Sequence, residues 1–286
     1  MKDKRIQIIY DLIDTILSVI RLLGLSRLKK TPRIQSKNTQ CIIMGNGPSL
    51  LKLLEEDKAV LAKYDFLAVN HMARSAQYEK FKPGIYVLCD PAFWFAKGYE
   101  IPQQLVKETF KSMVDKTTWP LQLYIPYQAK KAGIKALLSS NSNIQVYYFN
   151  KTTFEGFSWL KYKIYDLQWG IVRPQNVLNV ALMLMIYSGY QRIYLFGADN
   201  DWLKNVWVDE KNRIRHSEIH FYSENKEGKQ ICDNSQKLHM VLASLYIVFK
   251  NYVDIEEYAK KKRVKIYNMN PLSFIDAFEK LTCGLK

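Results

Sequence analysis

Apolar positions follow two rhythms along this chain. From Ile6 to Leu28 they crowd the segment IQIIYDLIDTILSVIRLLGLSRL, interrupted at Asp11, Asp14, Ser18 and Arg21, at spacings of three and four. On a helix that spacing draws one narrow polar stripe and leaves the remaining circumference apolar. Charges inside the run argue against a membrane span, which takes ~20 nearly uncharged residues, and no small-residue cleavage site follows to suggest a signal peptide. A wide apolar face with Lys and Arg at both ends fits a helix lying in a membrane interface. It also fits a helix packed on its own domain or on a partner subunit. The next stretch, KKTPRIQSKNTQ (Lys29–Gln40), is polar, basic and broken by Pro32, and reads as a linker. Residues 1–39 are therefore expected to form an associating helix with its linker, and residues 40–286 a single domain.

The second rhythm starts at Gln40, where short apolar runs alternate with helical patterns. The runs CIIMG, DFLAVN (Asp65–Asn70), IYVLCD (Ile85–Asp90), LQLYIP (Leu121–Pro126), IQVYYF (Ile144–Phe149), RIYLFGAD (Arg192–Asp199) and RVKIYNM (Arg263–Met269) read as strands. Between them, helices are predicted over Leu50–Lys63, Pro102–Val114, Asn176–Tyr187, Lys237–Val248 and Asp254–Lys262. Strands that are apolar throughout and separated by helices predict a Rossmann-like α/β domain, its mostly parallel sheet covered by helices on both faces. The polar stretch Asp209–Asn234 reads as an irregular loop within a lid region of about 202–236.

Composition changes this picture in two ways. The four cysteines (Cys41, Cys89, Cys232, Cys283) are widely spread with no metal-site spacing, which fits a reducing, cytoplasmic compartment. The net charge of +15 is uneven, because residues 1–37 hold nine Lys/Arg against three Asp. Such a balance suits anionic partners: head groups, nucleotides, phosphorylated saccharides or nucleic acid.

In open parallel sheets, ligands bind beyond the carboxyl ends of the strands, and these ends are polar here. The first strand ends in Gly45-Asn46-Gly47-Pro48-Ser49, where glycines let a backbone approach a ligand and a following helix offers free N–H groups to an anion. It is neither a Walker loop nor a GxGxxG fingerprint. The second strand ends at Asn70-His71 and the third at Asp90-Pro91; Arg173-Pro174-Gln175-Asn176 opens a helix, and Gly197-Ala198-Asp199-Asn200-Asp201 closes a late strand.

The order and content of these pieces resemble the bacterial sialyltransferases of glycosyltransferase family 42, over roughly Gln40 to Phe278. CIIMGNGPSL is similar to the family's first strand and turn, and implies a donor-binding role for Asn46 beside Gly45, Gly47 and Ser49. LAVNH points to Asn70. VLCDPAFWF places Asp90 where the family has Asn. RPQNVLNVALMLMIYSGYQRIYLFGADND matches best, through Arg173, Asn176, Gly189-Tyr190 and Gly197-x-Asp199, and KIYNMNPLSF points to Asn270 and Ser273. The resemblance implies a variant of the GT-A-like fold and transfer of a sugar from a CMP-linked donor with inversion, without a required metal. The family's phosphate-binding tyrosines have no direct counterpart; Tyr222 is the candidate here. GNGPSL also occurs in related proteins that handle pterin diphosphates, so it marks a fold more than a reaction.

Sugar transfer needs a base for the acceptor hydroxyl and a clamp on the leaving phosphate. His239 and His220 are the candidate bases, and Arg173 with the helix start at Asn176 the candidate clamp, joined by Arg213, Arg215 or Tyr222 from the lid. Asp199 and Asp201 also spell a DxD, which is compatible with Mg²⁺ or Mn²⁺. The expected partners are a nucleotide sugar and a glycan or glycolipid acceptor, with the N-terminal helix peripheral on a bacterial inner membrane. No nucleic acid is expected, and a homo-oligomer is compatible with this reading. Two rivals stay open: a metal-dependent phosphotransferase or diphosphokinase on a similar sheet, and a non-enzymatic anion- or nucleic-acid-binding protein.

Overall fold

The computed structural model describes residues 4–95, 103–218, 229–233, 237–282 and 284–285. The chain begins with α1 (Lys4–Leu25). It then alternates β1 (Gln40–Met44), α2 (Lys58–Leu61), β2 (Asp65–Val69), α3 (Ala76–Phe81), β3 (Ile85–Val87), α4 (Gln103–Lys116), β4 (Leu121–Pro126), α5 (Ile134–Leu137) and β5 (Ile144–Phe149). Next come α6 (Ser158–Asp166), α7 (Val177–Ser188), β6 (Arg192–Phe196), β7 (Val206–Val208), β8 (Ile214–Glu218) and β9 (Lys229–Asp233). The chain closes with α8 (Leu238–Lys261), β10 (Lys265–Asn268) and β11 (Glu279–Lys280).

Eight strands pair in parallel in the order β11-β10-β6-β1-β2-β3-β4-β5, the expected α/β architecture. The seven predicted strands all belong to it. Their side chains alternate between two cores. Cys41, Ile43, Leu67, Val69, Ile193 and Leu195 face the core that contains α7 and α8. Ile42, Met44, Ala68, Tyr194 and Phe196 face the opposite core, with α4. Burial on both faces is why these strands read as unbroken apolar runs. α7 has nine of its twelve residues buried, so it is apolar on every side.

The chain runs from β1 to β5 in one direction and then returns to place β6 on the other side of β1. That reversal makes the β1/β6 boundary the topological switch point, where ligands bind in such sheets. In register, Met44 stands opposite Ala68 and Phe196, so the three segments that follow emerge together.

Three elements depart from expectation. The predicted helix Leu50–Lys63 is a 3₁₀ segment, Pro48–Glu55, followed by the four-residue α2. Buried Leu50 and Leu53 are three apart, the repeat of a 3₁₀ turn, and Asp57 caps α2 by accepting from the Ala59 N–H at 2.7 Å. The two helices predicted at Lys237–Val248 and Asp254–Lys262 are one helix, α8, since neither Gly nor Pro interrupts them. Asp209–Asn234 is not an irregular loop in its described parts: β7, β8 and β9 form an antiparallel sheet.

Helix α1 docks through its polar stripe. Ser18 Oγ accepts from the Glu155 N–H at 2.9 Å and Thr15 Oγ1 from the Phe157 N–H at 3.0 Å, with Arg21 4.0 Å from Glu155. Between them Gly156, at φ +107°, lies so close that an added Cβ would stand 2.1 Å from Thr15 Oγ1. The segment after α1 is tied down as well. Asn150 accepts from the Arg27 N–H and donates to the Lys29 carbonyl, each at 3.0 Å, and the Thr31 N–H donates to Gln168 Oε1 at 2.7 Å.

Gly156→Ala is expected to lower stability by roughly 1–3 kcal/mol, because it combines a strained backbone with a clash against the α1 backbone. A lowered melting temperature, with faster tryptic release of an N-terminal fragment, checks this. An unchanged melt and an unchanged digest would show that α1 is not clamped at this point.

Candidate functional site

At the switch point two turns cross at contact distance. The Gly45 N–H donates to the Phe196 carbonyl at 2.8 Å, and the Gly47 N–H to the Gly197 carbonyl at 2.9 Å. A Cβ on Gly45 would lie 2.4 Å from the Gly197 oxygen, and one on Gly197 would lie 2.5 Å from the Gly45 oxygen. Gly197 also has φ +67°. Neither position admits a side chain, and this is the physical reason for glycine in both motifs. A Cβ on Gly47 would strike the Asp199 carboxylate, so that glycine makes room for the aspartate.

Asp199 is the knot between three strand ends. Its Oδ2 accepts from Ser49 Oγ at 2.9 Å and the Ser49 N–H at 3.3 Å, and its Oδ1 accepts from Asn270 Nδ2 at 2.7 Å. Ser273 Oγ donates to the Ala198 carbonyl at 2.7 Å, and the Phe274 N–H to the Asp199 carbonyl at 3.0 Å. The β1, β6 and β10 ends are thereby locked into one rim. Burial holds the Asp199 carboxyl above its usual range, against the lowering effect of the Ser49 bonds and with a further raising contribution from Asp201. As a DxD partner Asp199 is poorly placed, since both of its oxygens already serve this rim. Asp201 is half-buried and sits 3.6 Å from Lys204. Among the described residues no three His, Cys, Asp or Glu side chains converge as a metal site would require.

A cleft opens beside the knot, lined by Gly45, Asn46, Gly47, Asn70, Asn176 and Asp199, together with Asp201, Trp202 and Asn205. Its cavity volume is ≈ 130 Å³, against roughly 300–1,000 Å³ for a full small-molecule pocket. The described walls thus seat a portion of a ligand. Asn70 and Asn200 hold left-handed backbone, at φ +50° and +49°, a conformation asparagine tolerates and one found at functional strand ends. Two lining residues, Asn46 and Asn70, have buried side-chain oxygens with no hydrogen-bond partner in the protein. Buried acceptors are seldom left so, because each costs about 1–3 kcal/mol.

On the far wall the start of α7 is fixed by Asn176. Its Oδ1 accepts from the Leu178 N–H at 2.7 Å, and its Nδ2 donates to the Tyr252 hydroxyl at 3.1 Å. The same hydroxyl accepts from Asn200 Nδ2 at 2.7 Å. Burial pushes the Tyr252 phenol well above its ordinary range, so it stays neutral and holds both amides. Sequence reading missed Tyr252 and Asn205. Tyr252 fell in the gap between the two helices predicted at Lys237–Val248 and Asp254–Lys262, although a buried phenol usually finds a polar partner.

The remaining candidates are scattered. Ser49, Asn270 and Ser273 support the rim from behind. Asp90 is spent as a cap, accepting from the Ala92 N–H at 2.8 Å. Arg173 is exposed, and its carbonyl accepts from Asn251 Nδ2 at 2.6 Å. His239 is exposed on the first turn of α8 and does not line the cleft. His220 and Tyr222 lie outside the described residues. Arg213 and Arg215 pair with Asp209, with closest contacts of 2.8 and 2.9 Å, and hold its carboxyl well below the usual range. His71 is packed in the core, bonded to Thr109 at 2.7 Å and tilted against the Phe93 ring.

Tyr252→Phe removes the acceptor shared by Asn176 and Asn200, and is expected to cost about 1–3 kcal/mol in a denaturant melt. Gly45→Ala meets backbone atoms that cannot move aside, and is expected to cost at least as much. Stability within error of wild type for both variants would dismiss the crossed-turn description.

No family profile and no curated protein sequence matches the chain. Among solved structures it is similar to the apo form of the α-2,3-sialyltransferase of Campylobacter jejuni. The match has 14% identity and a TM-score of 0.44, over 87% of this chain and 83% of that one.

Proposed function

We propose that this chain is a glycosyltransferase of the sialyltransferase-like type. It takes a sugar from a nucleotide-activated donor, CMP-linked by preference, and passes it with inversion to a hydroxyl of a surface polysaccharide or lipooligosaccharide. One observation carries the reading: two unpartnered buried oxygens, Asn46 Oδ1 and Asn70 Oδ1, on the walls of the switch-point cleft. Such acceptors call for N–H or O–H donors. A nucleoside amine and ribose or sugar hydroxyls supply them, whereas phosphate oxygens do not. Phosphate is accommodated on the facing wall, where the start of α7 leaves N–H groups for an anion. The motif resemblance around Gly45–Ser49, Asn70 and Gly197–Asp199 supports the CMP-linked donor class.

In the reaction, the acceptor oxygen attacks the anomeric carbon as its bond to the donor phosphate breaks. The helix start stabilises the departing anion, and a base on the acceptor side, beyond the described walls of the cleft, takes the acceptor proton; His239 and His220 are the candidates for it. The engagement of both Asp199 oxygens favours a metal-independent route in which Asp199 is scaffold.

A thermal-shift and calorimetry panel of CMP, CDP, UDP and their sugar conjugates, with and without Mn²⁺, tests this. CMP species are expected to bind without metal, and Asn46→Ala and Asn70→Ala each to weaken binding about tenfold. No binding by any of these nucleotides would sink the proposal, and a strict Mn²⁺ requirement with ATP turnover would favour a phosphotransferase. Of His239→Ala and His220→Ala, the one that removes the base is expected to lower kcat by roughly 10²–10⁴-fold.

A further inference from the structure

Helix α1 is amphipathic in the inverted sense. A surface helix ordinarily buries its apolar face and shows water its polar one. Here Asp11, Thr15 and Ser18 turn toward the Glu155–Phe157 loop, and of the whole helix only Ser18 and Leu22 are buried. The outward residues are Ile6, Ile8, Ile9, Leu12, Ile13, Ile16, Leu17, Ile20 and Leu23, each 45–73% exposed. At 100° per residue they cover an arc of about 200° centred opposite Ser18.

We propose that this arc lies in the interface of an anionic lipid bilayer, with α1 parallel to the membrane and clamped to the domain. Three observations select lipid over a second copy of the chain. A partner helix covers a narrow seam, whereas this convex arc runs unbroken down both flanks, and a bilayer surface covers all of it. The helix is bracketed by positive charge: Lys4 and Arg5 at its start, and Arg27, Lys29, Lys30 and Arg33 just after it, in a chain of net charge +15. That arrangement matches anionic head groups. Trp159, two residues beyond the Phe157 clamp, is 67% exposed, and tryptophan is the characteristic residue of the membrane–water boundary.

The helix lies on the membrane and does not cross it, since its polar stripe is bonded to the protein along one side. α8 is the one described helix long and apolar enough for a span; its carboxyl-terminal half is fixed to the domain core by Tyr252, Ile255 and Tyr258, while its first half is largely exposed. The clamp loop follows the carboxyl end of β5, the same edge of the sheet that carries the cleft, so the anchor brings that edge toward the lipid. This inference stands independently of the glycosyltransferase reading.

Flotation of the full chain with phosphatidylglycerol/phosphatidylethanolamine vesicles tests it. Wild type is expected to float with these vesicles, and more weakly with pure phosphatidylcholine or in high salt. Ile13→Glu together with Ile20→Glu is expected to lower vesicle partitioning at least about tenfold, while the melting temperature and any nucleotide response stay at wild-type values. Trp159→Ala is expected to lower partitioning several-fold. The proposal is overturned if wild type does not float, or if the double variant floats as well as wild type. It is also overturned if light scattering finds a dimer that the double variant dissociates while vesicles bind neither protein.

Discussion

Gly45 and Gly197 meet so closely that a methyl group on either would occupy the space of the other's carbonyl oxygen. The rest of the site depends on that crossing. Because the β1 and β6 turns touch through backbone, the carboxylate of Asp199 reaches Ser49 on one side and Asn270 on the other. The ends of three strands become one rigid rim, and asparagines can be held with their oxygens unpaired at its border. Buried acceptors are seldom left unsatisfied, and here the rigid rim holds two of them at the border of the cleft.

The opposite wall reaches the same end with different chemistry. α7 is so apolar that only packing determines its position, yet its first turn must be held to within a hydrogen bond's tolerance. Asn176 and the Tyr252 hydroxyl do this, linking α7 to α8 and, through Asn200, back to the β6 turn. The two walls are therefore coupled through a neutral buried phenol.

The polar groups of the periphery are mostly occupied by their own structure. Asp90 caps a turn, Arg213 and Arg215 are bound by Asp209, and Asp199 is a strut. α1 inverts the usual arrangement of a surface helix: Thr15 and Ser18, with the buried Leu22 beside them, hold it to the domain, and its apolar majority faces outward.

The parallel sheet was legible in the residues because strand positions buried on both faces must be apolar, and Cys41–Met44, Phe66–Val69 and Ile193–Phe196 satisfy that requirement locally. The glycine turns were legible too, since a close backbone crossing excludes every other residue. The local pattern did not reveal the 3₁₀ form of Pro48–Glu55, the continuity of α8, or the strands inside the polar stretch after Asp209. Each depends on which neighbours are available to pair or pack. The same holds for the partners of a side chain. Asp199 reads in sequence as half of a metal motif, and tertiary structure alone supplies the Ser49 and Asn270 donors that claim its oxygens. The polar stripe of α1 was written in the sequence, but its direction was not. Periodicity fixes which residues share a face, and only the position of the Glu155–Phe157 loop decides which face turns inward.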